Sequence, residues 1–503
     1  MPKTIAIIGA GLGGLTAGNL LVDRGHEVTI FESFARPGGY TAGFRRQGYY
    51  FESGTLSFES VGVFEKMMAD LGLSGRLPLV RMRMRILSPH FDFVVDSVAG
   101  LKDAIYAAFP GDRDGLDGYF REIDPLVAAM RPLIKEPIPP QFRGFGLLKS
   151  LAPYAVAGPR YALRRRRVKG MTVDELAAKH LKPGTAAYRF FTGLGYPKME
   201  VSTQAGMFLV IAEDYWHARD GMQHWADLLA ERFRERGGDL RLGSPVERIL
   251  TSGGAAVGVL SKGERFSADA VVSGCDYKKT FLNLLDDPSV VPEAQSRRIR
   301  DAAVSEGIFT VYLGLRMSGP ELLSKMKTPS VSYMPLDRDV DPEDAKATDH
   351  FEKDGFSLYS PSLVNQELAP EGRSSLMIQA VSPAHWQDDW RRSDPAAYRA
   401  LKAQVRNRLV ARAEAVVPGL RGAVEFEDAA TPLTYERYTG NTDGATSGWS
   451  WNPKKPFYKG GAFATTVATP VRNLWIGSCW AGQIGGIPNA IAAAYLAAKK
   501  IGR

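Results

Sequence analysis

The 503-residue sequence predicts an α/β fold with a parallel sheet, and three stretches of the chain support this prediction. Near the start, an apolar strand at Ile5 to Ile8 leads through a glycine-rich turn into a helix and a second strand, Val28 to Phe31. A helix at Trp225 to Arg236 precedes several short strands in the middle of the chain. A buried strand and an apolar helix follow near the end, within 473–498. Strand, helix and strand in this order place parallel strands side by side.

The first turn carries Gly9, Gly11 and Gly14 with the G-x-G-x-x-G spacing of a dinucleotide-binding loop. Gly9 allows the tight turn, Gly11 lets a pyrophosphate approach the backbone, and Gly14 lets the helix pack on the strand. Glu32 ends the second strand, where its carboxylate can accept hydrogen bonds from the ribose hydroxyls of adenosine. The whole unit predicts dinucleotide binding. The alternative is that these glycines serve helix packing alone.

A second glycine cluster lies within Arg36 to Gly43, and a plain NAD-binding domain has no need for it. Here the chain resembles the FAD-dependent flavoprotein superfamily of amine oxidases and phytoene desaturases. In that superfamily an acid, a basic residue and a Gly-Gly pair wrap the adenosine and pyrophosphate of FAD. Glu32, Arg36 and the pair Gly38-Gly39 match this pattern. An ordinary glycine-rich turn is the alternative for the pair.

The C-terminal part resembles the closing motif of the same superfamily. Gly485 to Ala490 reads GGIPNA, and in the family this turn and the helix N-terminus lie at the flavin ring and ribityl chain. The helix dipole there would favour negative charge on the reduced flavin. Glu52 to Thr55 similarly resembles the stretch that passes beside the flavin, and Val246 corresponds to a residue whose backbone meets the adenine. Ser478 stands where many members carry an acid, which leaves the ribityl contact open.

The resemblance implies that FAD is the cofactor. The residues expected to bind it are Gly9, Gly11, Leu12, Gly13, Gly14, Glu32, Ser33, Arg36, Gly38, Gly39, Tyr40, Gly54, Thr55, Val246, Gly477, Ser478, Gly486, Ile487, Pro488 and Ala490. No metal site is expected, because the seven histidines are dispersed and form no His-x-x-x-His pair.

Nucleotide-binding pieces at the beginning, middle and end predict a Rossmann-like FAD-binding domain interleaved with an α+β substrate-binding domain. The FAD-binding parts are expected at 1–85, 215–280 and 465–503. Between them we expect a helical substrate or lid part at 86–214 that can face a membrane, and a substrate-binding sheet domain at 281–464. An apolar fraction of 45% suits a globular protein with a substantial core.

Within the superfamily, the chain resembles the phytoene desaturase, carotenoid isomerase and retinol saturase branch. The resemblance rests on segments such as Ser88-Pro89-His90, Phe109-Pro110-Gly111 and Thr431 to Asn441. It implies a FAD-dependent oxidoreductase that desaturates a long apolar polyene or isoprenoid by hydride transfer to flavin N5. Saturation and cis–trans isomerisation of the same substrate class are alternatives. The electron acceptor, oxygen or a quinone, is left open.

Three side chains are candidates for a catalytic role, although none has a spacing that demands one. Trp480 and Gln483 stand in the closing loop, and His217 precedes the mid-chain helix. Core packing is the alternative for Trp480, and a satisfied structural histidine is the alternative for His217. For an apolar substrate the protein mainly supplies alignment and a dry channel.

Two other functional classes share this fold. An amine oxidase would need an aromatic cage and a site for a basic amine, which the sequence does not exclude. A non-catalytic relative resembling the prenyl-binding GDP dissociation inhibitors would grip isoprenoid chains without chemistry. The complete set of FAD-binding glycines argues against this second alternative.

A basic and apolar stretch covers Phe142 to Leu151 and Tyr154 to Lys169, in a chain of net charge +8. This composition predicts contact with an anionic membrane surface, and a solvated charged face is the alternative. Nucleic-acid binding is not expected, because no nucleic-acid module accompanies the arginines. No apolar run approaches the ~18 residues of a spanning helix, and the first strand starts by Ile5. We therefore expect a cytoplasmic protein that associates with the cytoplasmic membrane face.

Overall fold

The computed structural model describes residues 1–134, 145–337, 344–459 and 464–502, without the side chains of 145–153. Its strands are β1 Thr4–Ile8, β2 Glu27–Phe31, β3 Gly43–Arg46, β4 Tyr49–Glu52, β5 Leu79–Arg81, β6 Met84–Ser88, β7 Phe91–Val94, β8 Trp216–Ala218, β9 Asp239–Arg241, β10 Val246–Ser252, β11 Ala255–Ser261, β12 Glu264–Ser267, β13 Ala270–Ser273, β14 Gly307–Leu315, β15 Ser330–Tyr333, β16 Phe356–Tyr359, β17 Ser374–Ser382, β18 Val424–Ala430 and β19 Leu474–Ile476. Its helices are α1 Leu12–Val22, α2 Val61–Asp70, α3 Val98–Ala108, α4 Arg113–Ile134, α5 Phe145–Arg165, α6 Val173–His180, α7 Ala186–Gly193, α8 Val201–Glu213, α9 Met222–Glu235, α10 Tyr277–Lys279, α11 Glu293–Asp301, α12 Gly319–Met326, α13 His350–Lys353, α14 Pro361–Val364, α15 Trp386–Trp390, α16 Pro395–Ala413, α17 Leu420–Ala423, α18 Pro432–Thr439 and α19 Ile487–Ile501.

A five-stranded parallel sheet joins three distant parts of the chain. Its order is β19-β13-β1-β2-β9, and every neighbouring pair is parallel. Ile7 at the centre pairs with Val272 on one side and Ile30 on the other, and all three side chains are buried. The predicted α/β class with a Rossmann-like parallel sheet is confirmed.

The first helix reaches this sheet through glycines. Gly9 turns the chain with φ +93°, which favours glycine. A Cβ on Gly14 would lie 2.1 Å from the carbonyl oxygen of Gly9, and a Cβ on Gly13 would lie 2.1 Å from that of Gly477. α1 therefore packs backbone to backbone against the ends of β1 and β19.

The closing helix α19 also lies against α1. Gly486 precedes it with φ +88°, and Pro488 stands in its first turn, where a missing N–H costs nothing. Small buried side chains such as Ala493, Ala494 and Ala497 form its inner face. The other neighbour of α1 is α9, which starts three residues before the predicted Trp225 because Gly221 at φ +93° is its N-cap.

A seven-stranded sheet of order β18-β14-β17-β16-β15-β6-β7 forms the second layer. Its pairs are antiparallel, except that β15 runs parallel to β6. All nine residues of β14 are buried, as expected for the centre of a covered sheet. One face packs against α16, whose Leu401, Val405 and Leu409 join the core beside β14 and β17.

Helices α3 to α8 form a separate apolar core. Aromatic side chains at its centre, including Tyr119, Phe120, Phe190 and Phe191, pack at ring-centroid distances of 4.0 to 6.0 Å. In the described part of the chain, no helix is long and apolar enough to cross a bilayer. The predicted division into five domain segments stays a prediction.

Gly13→Ala should destabilise the fold by about 1–3 kcal/mol, because the new Cβ forces two backbone segments apart. Gly11→Ala, at the N-cap of the same helix, is the matched control, since a Cβ there would meet no atom within 4 Å. Thermal unfolding of both variants without added cofactor measures the difference. Equal melting temperatures for the two variants would contradict the packing described above.

Candidate cofactor and substrate site

The N-terminus of α1 forms an open anion-binding turn. Gly11 is the N-cap, and the first N–H groups of the helix have no acceptor within the helix itself. A Cβ on Gly11 would find open space, in contrast to Gly13 and Gly14. Gly38 donates its N–H to the Ala10 carbonyl oxygen at 2.9 Å, so the second glycine cluster lies alongside the first. This space and its N–H groups fit a pyrophosphate.

Glu32 is fixed beside this turn. Its Oε2 accepts the Ala10 N–H at 2.7 Å, while Oε1 accepts the Phe34 N–H at 2.9 Å and the Ser33 hydroxyl at 3.1 Å. The carboxylate is buried and held by backbone N–H groups, which keep its charge at the edge of the open turn. The position fits a group that accepts hydrogen bonds from ribose hydroxyls.

The second glycine cluster is ordered by two side chains from its own segment. Arg36 donates through Nη1 to the Gly43 carbonyl oxygen at 2.7 Å, closing the turn that contains Gly38 and Gly39. Tyr40 donates to the Gly444 carbonyl oxygen at 2.9 Å and thereby ties this turn to the C-terminal region. Arg36 therefore stabilises the conformation of this loop through its hydrogen bond to the backbone.

The closing turn completes the site from the other end of the chain. The Gly477 N–H donates to the Ser273 carbonyl oxygen at 2.7 Å, and the Ser478 hydroxyl donates to the Cys275 carbonyl oxygen at 3.2 Å. Ala490 is buried in the first turn of α19. Val246, at the start of β10, is half-buried.

A cavity of about 1080 Å³ extends from the closing turn into the helical part. Six of the predicted cofactor residues line it, namely Tyr40, Gly54, Thr55, Gly486, Ile487 and Pro488. Its far walls are mostly apolar and include Met130, Leu133, Ile134, Met207 and Met334. The cavity therefore joins Tyr40, Gly54 and Thr55 to the closing turn, whereas the predicted residues of the first glycine turn and Glu32 lie outside its described lining.

Glu59, Glu306 and Asp354 also line this cavity, and among the described lining residues there is no Lys, Arg or His. Burial, together with nearby Asp214, raises the pKa of Glu59 to about 7, against an opposing backbone hydrogen bond. Burial likewise raises the pKa of Glu306 to about 7, opposed by a hydrogen bond of 2.5 Å from the Thr446 hydroxyl to its Oε1. Both side chains keep some accessible surface because they face the cavity rather than the exterior.

Sequence reasoning missed these carboxyl groups. Glu59 lies four residues after Thr55, the last residue of the stretch predicted to pass beside the flavin, and extending that stretch would have included it. Glu306 immediately precedes β14, with no spacing that distinguishes it from a surface residue.

Two of the catalytic candidates, Trp480 and Gln483, lie outside the described lining of the cavity. Trp480 is 1% exposed and donates its indole N–H to the Asn441 side-chain oxygen at 3.2 Å. Gln483 donates to the Ser450 carbonyl oxygen at 3.0 Å and accepts the Tyr458 N–H at 2.8 Å. Through these hydrogen bonds, both side chains stabilise the conformation of the closing loop.

His217, the third candidate, is fully buried on β8 and is likewise absent from the described cavity lining. Its Nδ1 lies 2.6 Å from the Leu56 carbonyl oxygen, and its Nε2 lies 3.4 Å from Glu52 Oε1. Burial lowers the pKa of His217 to about 4 and raises that of Glu52 to about 8. At these pKa values the neutral form of each group is favoured near pH 7. Through Leu56 and Glu52, His217 contacts the 52–56 segment, part of which lines the cavity.

Comparison with known proteins gives independent information on the site. A family model described as an NAD(P)-binding Rossmann-like domain matches residues 7–71, and one described as flavin containing amine oxidoreductase matches residues 157–502. The chain is 25% identical to a 4,4'-diapophytoene desaturase (4,4'-diapolycopene-forming) of Methylomonas sp over 474 residues, covering 90% of this chain and 88% of the relative. It is 24% identical to a chloroplastic prolycopene isomerase of Arabidopsis thaliana, covering 87% and 73%. The crystal structure of an oxidoreductase from Methanosarcina mazei superposes with a TM-score of 0.63 at 15% identity, covering 99% of this chain and 100% of that one.

Proposed function

The chain belongs to the flavin containing amine oxidoreductase family, and we propose that it is a FAD-dependent enzyme acting on carbon–carbon bonds of a long apolar polyene or isoprenoid. The observation that carries this proposal is the cavity of about 1080 Å³, which joins the closing turn to an apolar extension. The desaturase and isomerase among its relatives support the same substrate class. Desaturation is the reaction that we favour, with saturation and cis–trans isomerisation as alternatives.

The chain's own residues would hold FAD at three places. The N-terminus of α1 would bind the pyrophosphate, and Glu32 would accept hydrogen bonds from the ribose hydroxyls. Gly486 and Pro488 would lie at the flavin ring. The remaining predicted residues would complete these three contacts. Bound FAD supplies two-electron chemistry by accepting a hydride from the substrate. The five-segment division of the chain, with FAD-binding parts at 1–85, 215–280 and 465–503, is part of this proposal.

Glu32→Ala and Gly11→Val should each lower FAD affinity by at least about tenfold. The first removes acceptors for two ribose hydroxyls, and the second fills the open space in front of α1, where the fold itself has room for a side chain. Flavin absorbance per protein after reconstitution, and titration with FAD, measure the loss. The conservative variant Gly11→Ala is the control for the fold. Wild-type flavin content in both test variants would refute the assignment.

The apolar walls of the cavity would align the substrate. Met130, Leu133 and Ile134 come from α4, whereas Met207 and Ile211 come from α8. Such walls favour an extended hydrocarbon by burying its surface, at roughly 25 cal/mol per Å². They also exclude water from the reacting bond.

Anaerobic mixing of the oxidised holoenzyme with phytoene tests the reaction. Desaturation should bleach the flavin absorbance and yield a product lighter by two hydrogens, detected by mass spectrometry. Reoxidation with oxygen or with a quinone would then identify the electron acceptor. An unchanged product mass with altered polyene absorbance would indicate isomerisation, and no reaction with any polyene would contradict the proposal.

An amine oxidase is the second candidate function. It is favoured by three carboxyl groups in the cavity wall and by the absence of a basic side chain among the described lining residues. Bleaching of the flavin by putrescine or benzylamine, and not by polyenes, would select it. A purified protein that never binds flavin would instead point to a non-catalytic prenyl-binding relative.

We further propose that the protein meets a membrane surface through α5. The helix exposes Val156 (60%) and Leu163 (62%) beside exposed arginines, while its Tyr161 lines the cavity. An apolar substrate could thus pass from lipid into the cavity along this helix. Arg165 does not belong to the exposed set, because its Nη2 donates to both carboxylate oxygens of the buried Glu200, at 2.8 and 2.9 Å. The predicted stretch at 142–144 lies outside the described residues.

Charge reversal of Arg164, Arg166 and Arg167 to Glu should weaken binding to anionic liposomes at least tenfold. Each basic residue near such a surface contributes about 1 kcal/mol. Co-sedimentation with phosphatidylserine vesicles measures the effect, and flavin content should stay unchanged. Reversal of Arg297 and Arg300, two exposed arginines on α11, is the control for a charge change elsewhere on the surface. Equal sedimentation of both variants would remove the membrane proposal.

A further inference from the structure

One part of the cavity wall is polar, and we call it the polar lobe: Glu59, Tyr196, Glu306, Thr446 and Trp451. The rings of Tyr196 and Trp451 stack at a centroid distance of 3.9 Å with an interplanar angle of 7°. Burial raises the pKa of the Tyr196 hydroxyl, and Glu59 and Glu306 raise it further, so both carboxyl groups act on the same hydroxyl. The lobe is one cluster built from five separated positions of the chain.

The polar lobe lies beside the closing turn. A Cβ on Gly486 would lie 3.4 Å from Glu59 Oε1. Thr446 holds Glu306 by two hydrogen bonds. Its N–H donates to the Glu306 carbonyl oxygen at 3.1 Å, and its hydroxyl donates to Glu306 Oε1. The lobe therefore lies next to the closing turn and shares one cavity with the apolar walls from α4 and α8.

Hydrogen-bonding capacity remains unused in the lobe. Glu306 Oε2 and Trp451 Nε1 are both buried atoms without a hydrogen bond of normal geometry in the described residues, and a weak hydrogen bond from Trp451 lowers the pKa of Glu306. Buried polar atoms destabilise a protein when their hydrogen bonds are incomplete. A ligand that supplies the missing partners would recover part of this free energy.

We propose that the substrate is a polyene or isoprenoid with a neutral oxygen-bearing end group, a hydroxyl or a carbonyl, which the polar lobe binds through Glu59 and Glu306. The inference rests on the proposed function and narrows its substrate class. A wholly hydrocarbon chain would leave both carboxyl groups buried against apolar surface. An anionic end group is excluded by the carboxyl groups and by the lack of a basic side chain among the described lining residues.

A neutral end group fits the lobe better than a cationic one. A carboxyl group in its acid form donates one hydrogen bond and accepts others, which matches a hydroxyl or carbonyl. A cationic end group would attract these carboxyl groups, but it and at least one ionised carboxylate would both lose their hydration inside the cavity. The apolar extension then receives the hydrocarbon part of the same molecule.

The test uses the FAD-loaded full-length protein and four fluorescent polyenes with one common body. These are 1,6-diphenylhexatriene and its hydroxymethyl, trimethylammonium and propionate derivatives. Equilibrium titration gives four dissociation constants that do not depend on turnover. We expect the hydroxymethyl probe to bind about three- to tenfold more tightly than the parent, as one or two added neutral hydrogen bonds provide. The propionate probe should bind the least tightly.

Variants separate hydrogen bonding from charge. Glu306→Gln and Glu59→Gln retain a donor and an acceptor, so the hydroxymethyl preference should persist within about twofold. Glu306→Leu and Glu59→Leu should lower the ratio of the parent's dissociation constant to that of the hydroxymethyl probe to about one. Thr203→Val, which alters a polar residue elsewhere in the cavity wall, is the matched control and should change the binding of all probes alike.

Two results would overturn the inference. One is equal binding of the parent and hydroxymethyl probes to the wild type. The other is tightest binding of the trimethylammonium probe together with its loss in the Gln variants, which would identify a cation site. The glutamine variants keep the test decisive if the leucine variants fail to fold, as judged by flavin content.

The inference and the proposed function can fail separately. A hydroxymethyl preference without flavin bleaching by any polyene supports the binding inference and removes the proposed reaction. Bleaching by hydrocarbon polyenes without a hydroxymethyl preference supports the reaction and overturns the inference.

Discussion

Close backbone contact at the N-terminus of α1 is the constraint on which the rest of the molecule depends. Gly14 allows α1 to rest on the end of β1, and Gly13 allows it to touch the carbonyl oxygen of Gly477. These contacts bring the first and last parts of the chain together. They also aim the free N–H groups of the helix at the open space in front of Gly11, so the same geometry that closes the fold creates the anion site.

The cavity lies between the layers of the molecule, and each layer supplies part of its wall. The closing turn at Gly486 supplies one end, the seven-stranded sheet supplies residues such as Ile308 and Gln379, and the helical part supplies the apolar extension. Carboxyl groups inside such a cavity are held away from bulk water and shift toward their neutral form. The polar lobe is therefore suited to hydrogen bonding rather than to pairing with an anion.

Parts of this site could be predicted from sequence, because glycine spacing and strand ends carry local signals. The parallel sheet, the turn at Gly9 to Gly14 and the closing turn belong to this group. Glu306 carried no such signal, and Glu59 had only its position four residues after Thr55, since both line the cavity through the packing of separate segments. Trp480 stood next to the closing turn in sequence, but a 3₁₀ turn at Cys479–Ala481 places its ring in the core. Proximity along the chain was a poor guide to proximity in space.

The sequence by itself determined the fold class, the family and the cofactor, because backbone requirements such as φ at Gly9 restrict residue type position by position. Only the tertiary structure decided which side chains face the substrate. It turned Arg165 inward to Glu200 while its neighbours stayed exposed, and it brought Glu59, Tyr196 and Glu306 into the wall of one cavity. The physical reason is that burial and charge depend on contacts between distant segments, which no local pattern of residues encodes.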